Sequence, residues 1–248
     1  MRTGRYRHYK GMEYTVVDVA RHSETMEEMV VYRAEYGERG LWVRPRTMFE
    51  EWIKKDDEVK RRFACEEPPF AWPQSLRLRV ASSADAATIR MVHEEAFPAT
   101  RDSGDGSPEA HLVEELTAGG WGELSLLASI DERPVGHLLL SRLDVRTEAG
   151  QQVALALAPV AVLPRFQRQG IGTALVRASL DVVRQKGWAS VFVLGEPRFY
   201  ERFGFRHAVA SDYACVYQGE AFQALELTPG GLPADPAEIC FPTPFSRL

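Results

Sequence analysis

Residues 158–176 read APVAVLPRFQRQGIGTALV. The run 153–163 that opens this stretch is almost continuously apolar, the pattern of a strand covered on both faces. Pro159 lies inside it and cannot donate to a ladder, so an edge position or a bulge is expected there. Beyond it, Ile171, Leu175, Ala178 and Val182 recur at helical spacing, and Gly187 ends the helix near Lys186. Between strand and helix lies QRQGIG, residues 167–172. A helix start leaves several N–H groups unpaired and carries the positive end of the dipole, so it favours anions. Gly170 and Gly172 let the backbone approach a bulky anion with no Cβ in the way, and Arg168 adds charge at the rim. Taken alone the loop is also compatible with an ordinary glycine turn. Its position between a buried strand and an amphipathic helix favours the phosphate reading.

Working outward, the flanking elements alternate. Residues 76–80 read as a strand, and Ser83 or Asp85 can cap a helix that presents Ile89, Val92 and Phe97 on one side. The polar segment 99–107 precedes Pro108, which suits the first turn of a second helix through Leu112 and Leu116. Residues 124–130 and 135–145 form an expected hairpin around a turn at 131–134. After the central helix come a strand at 190–194, a short helix at 197–202, and closing strands at 205–209 and 222–227.

Two fragments in this order, APVAVLPRFQRQGIGTALV at 158–176 and VLGEPRFYERFGF at 193–205, resemble the GNAT acetyltransferases. The resemblance covers most of residues 76–248. It implies an α/β (α+β) GNAT fold, a mixed central sheet flanked by helices. It also implies acetyl-CoA as cosubstrate and transfer of its acetyl group to a primary amine of a small molecule or peptide. By similarity, Val160, Ala161 and Val162 offer strand amides to the pantetheine arm, while Arg168, Gln169, Gly170, Ile171, Gly172 and Thr173 meet the diphosphate. Tyr200 matches the family tyrosine beside the coenzyme sulfur. A phenol stays protonated near neutral pH and can protonate a departing thiolate as general acid. No base is assigned, because residues 155–163, LALAPVAVL, contain no ionisable side chain. His93, Glu94, Glu95, Glu109, His111, Glu114, Glu115 and His137 are the remaining candidates. A non-catalytic acetyl-CoA-binding sensor is the competing reading.

Residues 4–52 resemble a small bacterial domain family of uncharacterised function. Residues 13–19, 30–36 and 41–44 are β-prone, the last two joined by a turn at 37–40, and Thr47 with Glu50 matches a capping box for one short helix. A small β-rich, barrel-like domain is therefore expected over residues 1–64. Arg5, Tyr6, Arg7, His8 and Tyr9, with Arg21, His22, Ser23 and Glu24, concentrate charge, donors and rings suited to an anionic or planar ligand. The charged run 54–62 and the prolines at 68, 69 and 73 suggest a boundary, with the linker over residues 65–75 and the second domain over 76–248.

Composition narrows the classes. The first 70 residues hold 14 basic and 14 acidic side chains and the remainder 16 against 21, so neither part is a basic nucleic-acid surface by bulk charge. Three cysteines without metal-ligand spacing argue against a disulfide framework or a zinc site. No apolar run approaches the ~20 residues of a membrane span. A cytoplasmic enzyme is expected, with acetyl-CoA and an amine as partners, no metal, no membrane, and homodimerisation left open.

Overall fold

The computed structural model describes the chain except for residues 2, 67–74, 98–106, 233–236 and 248. It divides into two compact units, Met1–Ser75 and Leu76–Leu248. Most of the expected linker and of the polar segment 99–107 lie outside the described residues.

The first unit contains β1 (Gly4–His8), β2 (Glu13–Arg21), β3 (Glu28–Ala34), β4 (Leu41–Pro45), α1 (Arg46–Glu50), β5 (Trp52–Lys55), β6 (Glu58–Arg61) and β7 (Phe63–Cys65). One sheet runs β4-β3-β2-β1-β7, and β5 pairs with β6 as an antiparallel hairpin outside that sheet. Two strands separate β7 from β3 in that order, yet the Phe63 and Tyr32 rings lie 5.5 Å apart. The sheet therefore curls, and α1 plugs it with Phe49, which stacks on Phe63 at 4.0 Å.

Two expectations fail in this unit. The charged run 54–62 is strand rather than linker: alternation leaves Val59 buried while its neighbours face outward. Thr47 does not cap α1, because the helix starts at Arg46 behind Pro45 with no side-chain cap, and Trp52 belongs to β5.

The second unit contains β8 (Leu76–Val80), α2 (Ala86–Ala96), α3 (Pro108–Ala118), β9 (Gly122–Ile130), β10 (Arg133–Thr147), β11 (Gly150–Val162), α4 (Ile171–Gln185), β12 (Ser190–Leu194), α5 (Pro197–Tyr200), α6 (His207–Ala210), β13 (Phe222–Glu226) and β14 (Ala237–Cys240). Its strands run β13-β12-β11-β10-β9-β8, and among the described strands only β11 and β12 pair in parallel. α2 and α3 cover one face of the sheet, with Ile89, Leu112 and Leu116 packed on Leu139, Ala156 and Phe192. α4 covers the other. It comes so close to β10 that a Cβ on Gly136 would stand 3.2 Å from Leu175 Cδ1 of α4, in addition to 2.9 Å from the Ala161 carbonyl of β11.

Local signals explain the helix starts. Ser107 accepts the Ala110 N–H ahead of Pro108. Ahead of α2, Ser82 and Asp85 form a reciprocal box around one 3-10 turn; Asp85, one of the two residues named from sequence, stands at the cap position of α2, but its carboxylate bonds back to Ser82 rather than to the helix. The segment 205–209 is not a strand. Arg206 makes a single bridge to Ala224, and the chain then winds into α6. Phe205 and Val209 are four apart, a spacing that serves a helix turn as well as an extended run. β14, absent from the sequence reading, pairs with the end of β10 that extends past β9.

Each unit has its own apolar cluster. A fragment spanning residues 73–248 is expected to unfold in one cooperative transition in a thermal melt. Aggregation, or a melt without a transition, would show that the second unit depends on the first.

Candidate active site

β11 keeps β10 as a neighbour to Val162 but pairs with β12 only at Leu155–Val191 and Ala156–Phe192. Directly after that point the β10–β11 register shifts: Leu138 faces Val160 and Leu140 faces Leu157, so three steps on β11 match two on β10. Pro159 sits in this bulge, the second of the two arrangements expected for it. Past the bulge β11 leaves β12, and a cleft opens between the strands.

Ladder parity decides what β11 shows to that cleft. The Leu163 N–H donates to the Val135 carbonyl at 2.9 Å. Backbone groups alternate in direction along a strand, so Ala161 also faces β10 while Val160 and Val162 face the cleft. Ala161 therefore spends its amide on the ladder opposite His137, against the expectation that it joins its neighbours in offering a donor. The Val162 carbonyl is occupied by Gln167 Nε2 at 3.0 Å.

The loop that follows is shaped by two left-handed residues, Arg168 at φ 59° and Gly170 at φ 84°. Such a conformation is uncommon for a side chain like that of Arg168. Two glutamines brace it: besides Gln167, Gln169 Nε2 donates to the Arg165 carbonyl at 3.1 Å. Gly170 is the cap of α4, with no side chain bonded to the helix end, and its carbonyl accepts the Ala174 N–H at 2.9 Å. Ile171, Gly172 and Thr173 thus occupy the first turn, whose N–H groups have no intrahelical acceptor. Gly172 turns its α-carbon toward α5: a Cβ there would meet Phe199 at 3.6 Å and Val162 at 3.7 Å, ordinary contacts.

The sequence reading missed Arg202. Its guanidinium lies 4.6 Å over the Phe199 ring, with Nη2 3.5 Å from Thr173 Oγ1, bringing a cation to the first turn of α4. Nothing in its spacing marks it out, since the short turns of 197–203 place it.

Tyr200 lies across Gly195, the residue after β12. A Cβ at Gly195 would come 2.4 Å from Tyr200 Cε2, so the ring rests on bare backbone. Phe199 at 5.0 Å and Phe205 at 5.8 Å hold its other sides edge-on. Burial pushes the phenol up to about 12.

Comparison with known proteins bears on this arrangement. Residues 88–205 match the acetyltransferase (GNAT) family, and residues 4–65 match a protein family of unknown function, DUF1653. The uncharacterized N-acetyltransferase YhbS of Escherichia coli K12 is 37% identical over 135 residues, which span 53% of this chain and 80% of YhbS. The chain belongs to the GNAT acetyltransferase family. A crystal structure of YhbS from Escherichia coli in complex with CoA superposes with a TM-score of 0.60 at 28% identity, covering 74% of this chain and 96% of that one. A GNAT acetyltransferase from Brucella melitensis in complex with acetyl-CoA gives 0.54 at 30% identity, covering 68% and 97%.

Behind the GNAT cleft, on the α2 face of the sheet, a buried polar chain runs from α2 to β9. His93 Nε2 and His137 Nδ1 are 2.8 Å apart, and His137 Nε2 is 2.8 Å from Ser125 Oγ. Both imidazoles are fully buried, and among the described residues His93 Nδ1 has no partner. Burial lowers His93 to about 4 and holds His137 well below the usual histidine range. Of the other candidate bases, Glu94 and Glu114 are both tied to Arg90, and Glu109 accepts from Ser107. Among the described residues no helix is long and apolar enough to cross a membrane, and no cluster of three His, Cys, Asp or Glu could hold a metal ion.

The polar residues singled out in the first unit are not brought together. Strand alternation turns Tyr6 inward and Arg7 outward, where it pairs with Glu13 and Glu66. His22 lies beyond the far end of β2, its Nδ1 accepting the Glu24 and Thr25 N–H groups at 3.3 Å.

Two outcomes are expected. Gly195→Ala should destabilise the protein by ~1–3 kcal/mol through overpacking against Tyr200. In a Tyr200→Ala background the same change should cost little, and equal losses in both backgrounds would rule out the contact. Second, the histidine pair should make stability pH-dependent. Folded, both imidazoles stay neutral down to low pH, whereas unfolded they titrate near ~6.5, so the unfolded state binds the extra protons. Stability should be complete above pH ~6.5 and fall toward pH 4 with a slope up to ~1.4 kcal/mol per unit for each imidazole. A melting series in which His93→Leu shows the same slope as the parent would contradict this.

Proposed function

We propose that the chain transfers the acetyl group of acetyl-CoA to a primary amine by direct attack, with Tyr200 as general acid. What supports this reading is the set of outward-facing amides of Val160 and Val162, the uncapped first turn of α4 that follows them, and Tyr200, whose neighbour Phe199 lies beside Gly172 in that turn. CoA and acetyl-CoA in the two solved relatives support the same cosubstrate.

In this reading the diphosphate lies against the N–H groups from Arg168 to Thr173, with Arg202 adding a mobile charge. The pantetheine arm pairs with β11 at Val160 and Val162 as an added strand would. The acceptor's lone pair attacks the thioester carbonyl, and the oxyanion that forms takes a hydrogen bond from a β11 amide fixed in place beforehand. Collapse of the intermediate breaks the C–S bond, and the Tyr200 proton passes to the departing sulfur. A phenol pushed upward by burial remains protonated across the physiological range, which suits a donor. The amine's own proton leaves to water, since β11 offers no ionisable group and the two buried histidines resist charging. Amine identity follows from none of these groups. The catalytic domain in this proposal spans residues 76–248.

One observation favours a second reading, a non-catalytic acetyl-CoA sensor. The strand that lines the cleft has no side chain able to take a proton. The two readings separate at turnover: both bind coenzyme, and only an enzyme releases free thiol when amines are added.

Tyr200→Phe should leave acetyl-CoA affinity by calorimetry nearly unchanged and lower thiol release with the best acceptor by roughly 10²–10⁴. Gly170→Val should do the opposite, weakening coenzyme binding in a folded protein because a β-branched residue resists the left-handed cap. Unaltered turnover in the first variant assigns the acid elsewhere; unaltered affinity in the second removes the diphosphate from this loop.

A further inference from the structure

The inward face of the first unit gathers hydrogen-bond donors that, among the described residues, no carboxylate meets. Several basic side chains of the first unit meet acids: Arg7 pairs with Glu13 and Glu66, Arg39 with Glu35, Arg46 with Glu28 and Glu50, and Arg62 with Glu51. Arg44 differs. Register places it opposite Val30, on the face that β3 buries, and its guanidinium stands 5.8 Å over the Phe63 ring. Among the described residues it forms no ion pair.

Around Phe63 lie His8, its ring centroid at 4.7 Å, and Tyr14 at 5.3 Å. His8 Nδ1 accepts the Lys10 N–H at 3.4 Å, so the neutral imidazole carries its proton on Nε2, as a donor. Burial and the charges of Arg62, Lys10 and Arg44 keep this ring neutral, lowered to about 4. The hydroxyls of Tyr14 and Tyr36 are 2.5 Å apart. One must donate to the other, and the second hydroxyl keeps its own proton free to donate. Arg44 acts electrostatically on both His8 and Tyr14, so these donors share one positive field.

The same face remains open beside them. Trp42 is opposite Tyr32 in register, and Tyr32 is 4% exposed, yet Trp42 keeps 58% of its surface in solvent. An indole two residues from a free guanidinium on one strand presents a stacking surface next to an oxyanion site.

We propose that this face of the first unit binds a small planar oxyanion. Arg44, His8 Nε2 and the Tyr14–Tyr36 hydroxyl pair hold the anionic group, and Trp42 stacks on the ring that carries it. A ring bearing phosphate and a ring bearing carboxylate satisfy the same donors, and the test separates them.

The test uses the full chain with coenzyme A in excess, so that a nucleotide cannot be scored in the GNAT cleft. AMP, benzoate, adenosine and inorganic phosphate are titrated by calorimetry, with the Trp42 indole N–H resonance followed by NMR and assigned through Trp42→Phe. AMP or benzoate should bind and shift that resonance. Whichever binds names the anionic group. Arg44→Gln should weaken binding at least tenfold in a protein with an unchanged melting transition, and Arg44→Lys should fall between. Tyr200→Phe should leave this binding as it is, which keeps the result independent of the proposed transferase activity. Equal affinity for adenosine would remove the oxyanion from the proposal, and equal affinity for inorganic phosphate would remove the ring. No binding by any probe, or binding indifferent to Arg44→Gln, overturns it. So does a single-stranded oligonucleotide bound a hundredfold more tightly than AMP, which would make the face a nucleic-acid surface.

Discussion

What the second unit offers to a ligand depends on β11 being bound on one edge and released on the other. Pairing with β10 continues to Val162, whereas pairing with β12 ends at Ala156. A strand paired on both edges has no donors left. One paired on a single edge presents every second amide at a fixed spacing. The bulge at Pro159 permits the change, since it absorbs an extra residue where proline has no N–H to lose from the ladder. Gly136 sustains it from the other side: without a Cβ there, α4 settles onto β10, and the first turn of the helix is held beside the released edge.

In the proposed coenzyme site the donors are main-chain groups, and their orientation is inherited from the sheet and from the helix start. That explains how a chain with formal charge -5 can build a site for a polyanion. The local field comes from unpaired N–H groups and one or two arginines, and bulk charge says little about it. The inward face of the first unit works differently. There the donors are side chains, and the absence of a carboxylate partner for Arg44 among the described residues gives the face its sign.

Much of the fold was legible from periodicity. α4 and β12 stand where apolar spacing placed them, because both are buried elements whose patterns match their own geometry. The failures have local causes. β5 and β6 form a hairpin whose buried residues are Trp52, Ile53 and Val59, so within the charged run 54–62 only Val59 signals a strand and the lysines around it suggest a linker. The segment 205–209 has apolar residues at a spacing shared by two kinds of structure, and the chain is extended only as far as Arg206, which makes one bridge to Ala224 before α6 begins. β14 has a partner only because β10 outlasts β9, a length no local pattern encodes.

The site was legible to a different depth. The loop before α4 could be located from glycines between a strand and a helix, but what each residue does there depends on partners distant in sequence. Ala161 loses its amide to β10 by parity of register, fixed by Leu163 meeting Val135 rather than by anything in its own neighbourhood. Gln167 and Gln169 read as part of a ligand loop, yet their side chains are turned back to brace it. Tyr200 could be matched by its motif, whereas the reason its ring lies where it does is Gly195, a residue that looks like an ordinary turn glycine until the ring is seen resting on it. In each case residue type announces that backbone must come close to something, and only the register of the strands says to what.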